Sequence, residues 1–259
     1  MVRFIRKIHQ FFTDKPIHKG TVLNQHYEVL NIIGAGSYGL VYLCIDRLTV
    51  EKKVIKQLRP SKYQNKKEIE LFKNEVSILR SLDHPYIPKV YDTFASHGTV
   101  FYVMNLIEGD NLEDLIFSKK TTFNEKESLL VLTHLLHFIN YLHEKDIYHQ
   151  DIRIPNVIHN KEEYYLIDLG LAQSPKNHDD KLEMKLQDYY DLGEILLYLL
   201  YTTYTSKHKK ALPWTEELSI KLETTILLKR LLQIQAPYGN IAEISADLQL
   251  ALEAQREPD

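Results

Sequence analysis

The run Gly34-Ala35-Gly36-Ser37-Tyr38-Gly39, succeeded by Val41, places three of the chain's nine glycines within six positions. Glycine lets a backbone approach a phosphate closely and reach positive φ. A GxGxxG run is weak evidence alone, because hairpin turns also collect glycine. The element after the glycines matters more. A dinucleotide-binding site needs a helix directly after them. Here Leu40 to Asp46 alternates and is rich in β-branched and aromatic residues, which predicts a strand. The glycines then sit in a hairpin, as a flap able to fold over nucleotide phosphates. Val54-Ile55-Lys56 lies on the next strand. Its lysine reads either as an exposed strand end or as a fixed cation for those phosphates. Glu75, in the helix predicted beyond, is either a carboxylate that holds the lysine or a solvated helix residue.

A second group lies further along. His149-Gln150-Asp151 precedes Asn156, five residues after the aspartate, and Asp168-Leu169-Gly170 comes after the predicted strand Tyr164 to Ile167. Two aspartates and an asparagine suit magnesium, which takes hard oxygen ligands. Asp151 can accept or orient a hydroxyl proton. Each piece also has a plain reading: a loop aspartate, a capping asparagine, a turn at Gly170. Their occurrence together and in this order argues for one site.

The elements that must position these residues change character along the chain. From Tyr27 to Val103 the pattern is mostly strand: Tyr27 to Ile33, Leu40 to Asp46, Lys53 to Leu58, Val90 to Phe94 and Thr99 to Met104, the last two joined at His97-Gly98. One helix interrupts them, Lys67 to Leu82, with Ile69, Phe72, Val76 and Leu79 on one face. The remainder is mainly helical: Leu112 to Phe117, Glu125 to Lys145, Asp188 to Tyr204 and Glu216 to Gln233. Asn124 with Glu127 reads as the cap of the second of these.

The first twenty residues read as a separate segment, with Arg3, Arg6, Lys7, Lys15 and Lys19 set against Asp14. Phe4, Ile5, Ile8, Phe11 and Phe12 recur at helical spacing. The plain reading is a helix packed on the domain; the alternative is contact of residues 1–12 with an anionic membrane surface. Pro16 and Gly20 punctuate the chain before the first predicted strand. The chain has 259 residues, 44% hydrophobic and 26% charged, so most of it is expected to fold. Its net charge of -3 argues against general nucleic-acid binding. One cysteine, Cys44, excludes an intrachain disulfide and a cysteine-based zinc site, and a reducing cytoplasm fits best. No apolar run is long enough to span a bilayer, and no signal peptide is visible.

From about Gln25 to the C-terminal helices the chain resembles the eukaryotic-like (Hanks-type) protein kinase family, and within it the compact soluble bacterial serine/threonine kinases of Bacillus-like organisms. Gly34, Gly36, Gly39 and Val41 match the glycine-rich loop, Lys56 the phosphate-binding lysine and Glu75 its partner on the family's αC helix. His84-Pro85-Tyr86-Ile87 looks like the loop after that helix. Met104 falls at the gatekeeper position, with Asn105 to Ile107 as the hinge to adenine. Asp151 and Asn156 match the catalytic loop, Asp168 the metal-binding aspartate, and Asp188 the helix aspartate that anchors the catalytic loop.

The resemblance implies an α+β, two-lobed fold. Residues 1–24 would be a basic extension, 25–104 a small antiparallel lobe with αC, and 105–259 a larger helical lobe, with ATP between the lobes. It implies a serine/threonine protein kinase that moves the γ-phosphate of ATP to a protein hydroxyl, with magnesium, or manganese in its place. Lys56, Glu75, Asp151 and Arg153 would be catalytic. Ile33, Gly34, Ala35, Gly36, Ser37, Tyr38, Gly39, Val41, Val54, Lys56, Met104, Asn105 and Ile107 would meet the nucleotide. Asn156 and Asp168 would hold the metal. His149 is expected to pack in the core with Leu169 and Leu79 rather than transfer protons.

Several positions depart from the family pattern. Gln150 replaces the arginine that in many kinases pairs with a phosphorylated activation loop. Arg153 stands where serine/threonine kinases usually carry lysine, and with Pro155 it resembles their Lys-Pro. Val54 replaces the usual alanine over adenine, and Leu169 replaces phenylalanine. Asp168 to Asp188 is only twenty positions, contains no Ala-Pro-Glu element, and holds Ser174 as its single Ser, Thr or Tyr. A shortened activation segment of this kind keeps two rivals open: a small-molecule phosphotransferase of kinase-like fold, and a nucleotide-binding pseudokinase. Lys207 to Lys210 reads as a solvated loop, and Cys44 as a buried small hydrophobe.

Overall fold

The computed structural model describes residues 14–36, 39–96, 98–205 and 212–256. The expected helix in residues 1–12, the flap tip Ser37-Tyr38, His97 and the Lys207–Lys210 run lie outside the described residues. Met1–Ile107 and Glu108–Asp259 form two units.

In the first unit, six strands make one antiparallel sheet: β1 (Val22–Leu23), β2 (Tyr27–Ala35), β3 (Gly39–Asp46), β4 (Lys52–Leu58), β5 (Val90–Ser96) and β6 (Thr99–Asn105), in the order β1-β2-β3-β4-β6-β5. The alternation read in β3 is real: Leu40, Tyr42 and Cys44 are buried on one face. Side chains two apart share a face. That face, with Leu23, Tyr27, Val29, Ile55, Phe101 and Val103, forms the core of the sheet. Phe94 stacks on Phe101, 4.9 Å between ring centres. Helix α1 (Lys66–Ser81) is capped by Asn65, which accepts from the Lys67 amide, and buries Phe72, Glu75, Val76, Ile78 and Leu79.

Residues 14–23 are built into this sheet unit rather than preceding it. Ile17 packs on the core, its amide donates to the Tyr42 hydroxyl, and Val22–Leu23 pair with β2. The strand β1 is too short to leave a periodic signature in the sequence.

The second unit has a three-stranded sheet in the order β7-β8-β9, made of β7 (Asp110–Asn111), β8 (Val157–Asn160) and β9 (Glu163–Leu166). Its helices are α2 (Glu125–Glu144), α3 (His178–Tyr201), α4 (Trp214–Glu217), α5 (Leu222–Leu231) and α6 (Ile241–Ala254). The cap at Asn124 is a full capping box with Glu127, as the sequence indicates. Three expectations are corrected. The helix expected from Asp188 begins ten residues earlier, at His178, where Asn177 accepts from the Asp180 amide. The helix expected over Glu216 to Gln233 is two helices, because the chain is extended around Leu218 and Lys221, whose amide is held by Glu125. Leu112 to Phe117 gives a wide helical turn at Asp114–Ser118. Gly193 permits the close approach of α3 to α5: a Cβ there would lie 2.9 Å from that of Leu231.

Candidate functional site

The glycine run closes the β2–β3 hairpin, and a strand comes directly after it, as the sequence reading required. Gly34 pairs with Val41, Ala35 with Leu40, and the Gly36 amide donates to the Gly39 carbonyl at 3.1 Å. Gly39 is fixed by packing, since a Cβ would lie 2.8 Å from the backbone oxygen of Gln57. At Gly36 the surrounding space is open, and no atom lies within 4 Å of such a Cβ. The Gly36 carbonyl accepts from Arg59 Nε at 2.8 Å. Arg59 in turn meets Asp14, whose carboxylate also takes the amide and hydroxyl of Ser61. Asp14 and Arg59 are not evident in the sequence as support for the loop, because forty-five positions separate them.

Strand register assembles the rest of this group. Val41 stands opposite Lys56, Lys56 opposite Tyr102, and Val54 opposite Met104. Antiparallel pairing therefore sets Val41, Val54, Lys56, Tyr102 and Met104 on the sheet face opposite the Tyr42 and Val103 core. Lys56 Nζ lies 2.7 Å from Glu75 Oε1, with the residues 7% and 2% exposed. The same oxygen accepts from the Tyr102 hydroxyl at 2.9 Å. Tyr102 thus joins the Lys56–Glu75 pair, a contact that sequence reasoning missed; its one signal was its cross-strand position opposite Lys56. Asn105 is pinned by reciprocal bonds with Lys89, its side chain accepting from that amide and its own amide donating to that carbonyl. Ile107 closes this unit, and Ile33 is exposed on β2.

In the second unit, Asp151, Arg153 and Asn156 are brought together. Arg153 Nε is 3.0 Å from Asp151 Oδ1. Asn156 Nδ2 donates to the Asp151 carbonyl at 2.9 Å and to its Oδ2 at 3.2 Å. The amide nitrogen of Asn156 is thus spent on Asp151, which leaves its hard carbonyl oxygen as the group for a cation. Asp168 lies just beyond β9 at φ +63°, a left-handed conformation uncommon for a residue with a side chain. Its carboxylate accepts from the Gly170 amide at 3.3 Å. One carboxylate and one amide oxygen fit magnesium, which keeps several waters or phosphate oxygens as further ligands. Among the described residues, no group of three or more His, Cys, Asp and Glu side chains is arranged to hold a metal.

His149 and Leu169 are buried, as expected. Burial pushes the His149 imidazole below the usual histidine range, so the ring is neutral at pH 7. Asp188, fully buried, takes the amides of His149 at 3.0 Å and Gln150 at 2.8 Å. His143 Nε2 lies 2.8 Å from the same carboxylate. The segment after Asp168 is short and tied down. Tyr148 and Gln173 exchange both backbone bonds, Lys181 meets Asp146, and α3 begins at His178, after the cap at Asn177.

Residues 27–211 match the family model described as protein kinase domain. The chain is 42% identical to the probable serine/threonine-protein kinase YbdM of Bacillus subtilis, over 96% of this chain and 98% of that one. It is 30% identical to calcium-dependent protein kinase 5 of Plasmodium falciparum over 67% of this chain, but only 31% of that longer protein. Among solved structures, the Mycobacterium tuberculosis PknI kinase domain, in a single-residue mutant form, superposes with a TM-score of 0.72. The match covers 92% of this chain and 99% of that one at 19% identity, a likeness of fold.

Proposed function

The chain belongs to the protein kinase family, and on that premise we propose that it is a serine/threonine protein kinase that transfers the γ-phosphate of ATP to a protein hydroxyl. One observation carries this reading: the Lys56–Glu75 ion pair, buried at 2.7 Å and joined by Tyr102. Taking both charges out of water costs several kcal/mol per ion before their attraction is counted. A buried cation fixed in this way suits polyanionic phosphate better than it suits stability.

The roles follow from each group's surroundings. Lys56, held in one rotamer by Glu75, binds the phosphates. The hairpin at Gly34 to Gly39, with Ser37 and Tyr38, offers backbone N–H groups and excludes water. Ile33, Ala35, Val41, Val54 and Met104 give the apolar surface for adenine, and Asn105 to Ile107 its hydrogen-bonding edge. Asp151 orients the incoming hydroxyl and takes its proton, with its carboxylate aimed by Arg153 and Asn156. Arg153 also places positive charge beside the transferred phosphate. Asp168 and the amide oxygen of Asn156 would hold magnesium, or manganese, which supplies charge neutralisation on phosphate oxygens. No helix among the described residues is long and apolar enough to cross a membrane. We place the reaction in the cytoplasm, where ATP and reduced thiols are found.

The test is labelled-phosphate transfer from γ-labelled ATP to casein or myelin basic protein, comparing the unaltered chain with Lys56→Met and Asp151→Asn. Loss of about 100-fold or more in both variants is expected, with phosphoserine or phosphothreonine in the acceptor. Transfer to small alcohols but to no protein would instead establish the small-molecule phosphotransferase. Nucleotide binding without turnover would establish the pseudokinase.

A further inference from the structure

Two carboxylates on α3, one helical turn apart, reach the same stretch of chain. Asp188 takes the amides of His149 and Gln150. Asp191 takes the amide of Ile152 at 3.1 Å with Oδ2, while its Oδ1 accepts from Gln187 Nε2 at 2.7 Å. The amides on either side of Asp151 are therefore both held by α3. The Asp151 amide itself turns to His149 Nδ1 at 3.3 Å. Only the first of these anchors is anticipated from the sequence.

We propose that Asp191 is a positioning residue for phosphoryl transfer: it fixes the Ile152 amide and, through that bond, the direction of the Asp151 carboxylate. This rests on the kinase reading above.

Two observations support it. First, the bond is made one residue from Asp151, on the side opposite Asp188, so the two anchors together remove the backbone rotations that would swing the carboxylate. Second, Asp191 is 8% exposed, and the groups flanking it on its own helix are the acids Asp188 and Glu194. Its other polar partners are the neutral Gln187 amide and the Ile152 N–H; Arg153, the nearest cation along that loop, is engaged by Asp151. A buried carboxylate with neutral donors and acidic neighbours is a poor choice for stability. Burial raises its pKa to about 6, so keeping it ionised at pH 7 costs free energy. Local cost retained beside a reactive group is the pattern expected of a site tuned for activity.

The experiment compares the unaltered chain with Asp191→Ala and Asp191→Asn in steady-state transfer from ATP to casein, together with amide exchange over residues 149–153. Asp191→Ala is expected to lower kcat about tenfold or more, since a small misplacement of a reacting group is costly. KM for ATP should stay within about twofold, because no nucleotide contact is lost. Exchange at Ile152 should accelerate. Asp191→Asn, which keeps an acceptor oxygen, should restore kcat to within about threefold of the unaltered chain. A purely structural residue would not separate kcat from KM in this way. If Asp191→Ala does not fold, Asp191→Ser, which is too short to reach the amide, takes its place. An active unaltered chain with kcat and Ile152 exchange unchanged in the alanine or serine variant would overturn this role alone. An unaltered chain that transfers no phosphate to protein would overturn the kinase reading, and this role with it.

Discussion

Gln150 donates its side-chain amide to the carbonyl of Met184 at 2.8 Å, and at 3.1 Å to the carboxylate of Asp188. Gln150 sits at φ +63°, where its own amide also reaches Asp188. The residue that departs from the family pattern at this position therefore has a structural task. It ties the His149–Asp151 loop to the early turns of α3. Removing it takes a second donor from the Met184 carbonyl and one of several donors from the buried Asp188 carboxylate, a loss of about 1 kcal/mol. Gln150→Ala should open the start of α3 more often. Trypsin should then cut after Lys176, Lys181 or Lys185 roughly tenfold faster than in the unaltered chain. Equal cleavage rates would show that α3 holds itself.

The same anchoring predicts how the enzyme is regulated. Ser174 is exposed in the short stretch between Asp168 and α3, and it is the single hydroxyl residue from Asp168 to Asp188. With Gln150 in place of an arginine, a phosphate on Ser174 has lost a main docking partner. The segment is already fixed by the Tyr148–Gln173 bonds and by Lys181 with Asp146. Ser174→Ala should keep kcat within about twofold when assayed on protein free of phosphate at other sites. Loss of most of the activity would mean that Ser174 is a switch.

Local signals in the chain were legible where the physics is local. The Asn124–Glu127 capping box, the strand after the glycines and the apolar face of α1 need only neighbouring residues. The early turns of α3 were not legible, because His178 to Gln187 are charged or polar at most positions and none of them is buried. They are helical through the Asn177 cap, acidic residues at the helix N-terminus and bonds to distant residues. The break between α4 and α5 has no glycine or proline to announce it; Glu125, ninety-six positions away, holds the Lys221 amide there. Among the candidate residues, residue types alone pointed to Lys56 and Glu75 in the first unit and to Asp151, Asn156 and Asp168 in the second. The residues that contact their surroundings, Tyr102 on Glu75, Asp191 on the Ile152 amide and Arg59 on the Gly36 carbonyl, depend on register and tertiary packing, which no short motif encodes.

The glycines of the hairpin should separate by experiment. At Gly39 a Cβ would meet the Gln57 backbone at 2.8 Å and Lys56 side-chain carbons at 3.4 Å. Backbone in a central strand cannot yield without disturbing Lys56, so Gly39→Ala should destabilise by about 1–3 kcal/mol in urea unfolding. At Gly36 nothing stands in the way, and Gly36→Ala should change stability by less than about 0.5 kcal/mol. Its effect should fall on nucleotide affinity instead, where close approach of phosphate to backbone matters. Equal loss of stability in both variants would contradict this packing.

Asp191 makes a prediction in pH as well as in rate. Burial raises its pKa from 3.8 to about 6, helped by the charges of Asp188 and Glu194 and opposed by its bonds to Gln187 and Ile152. A carboxylate whose folded pKa is raised binds its proton more tightly in the native state than in the unfolded chain. Its favourable contribution is greatest below the unfolded value and is lost as pH rises through about 6. The full swing is about 3 kcal/mol, of which about 1 kcal/mol falls between about pH 5 and pH 7. Asp191→Asn removes that titration while keeping the acceptor for Ile152. Denaturant unfolding of both proteins should therefore show the asparagine variant gaining on the unaltered chain by about 1 kcal/mol from about pH 5 to pH 7. A difference that is flat across this range would mean that Asp191 is not held as a costly buried charge. A variant more stable at pH 7 yet slower in transfer would show that the ionised form is kept for position rather than for the fold.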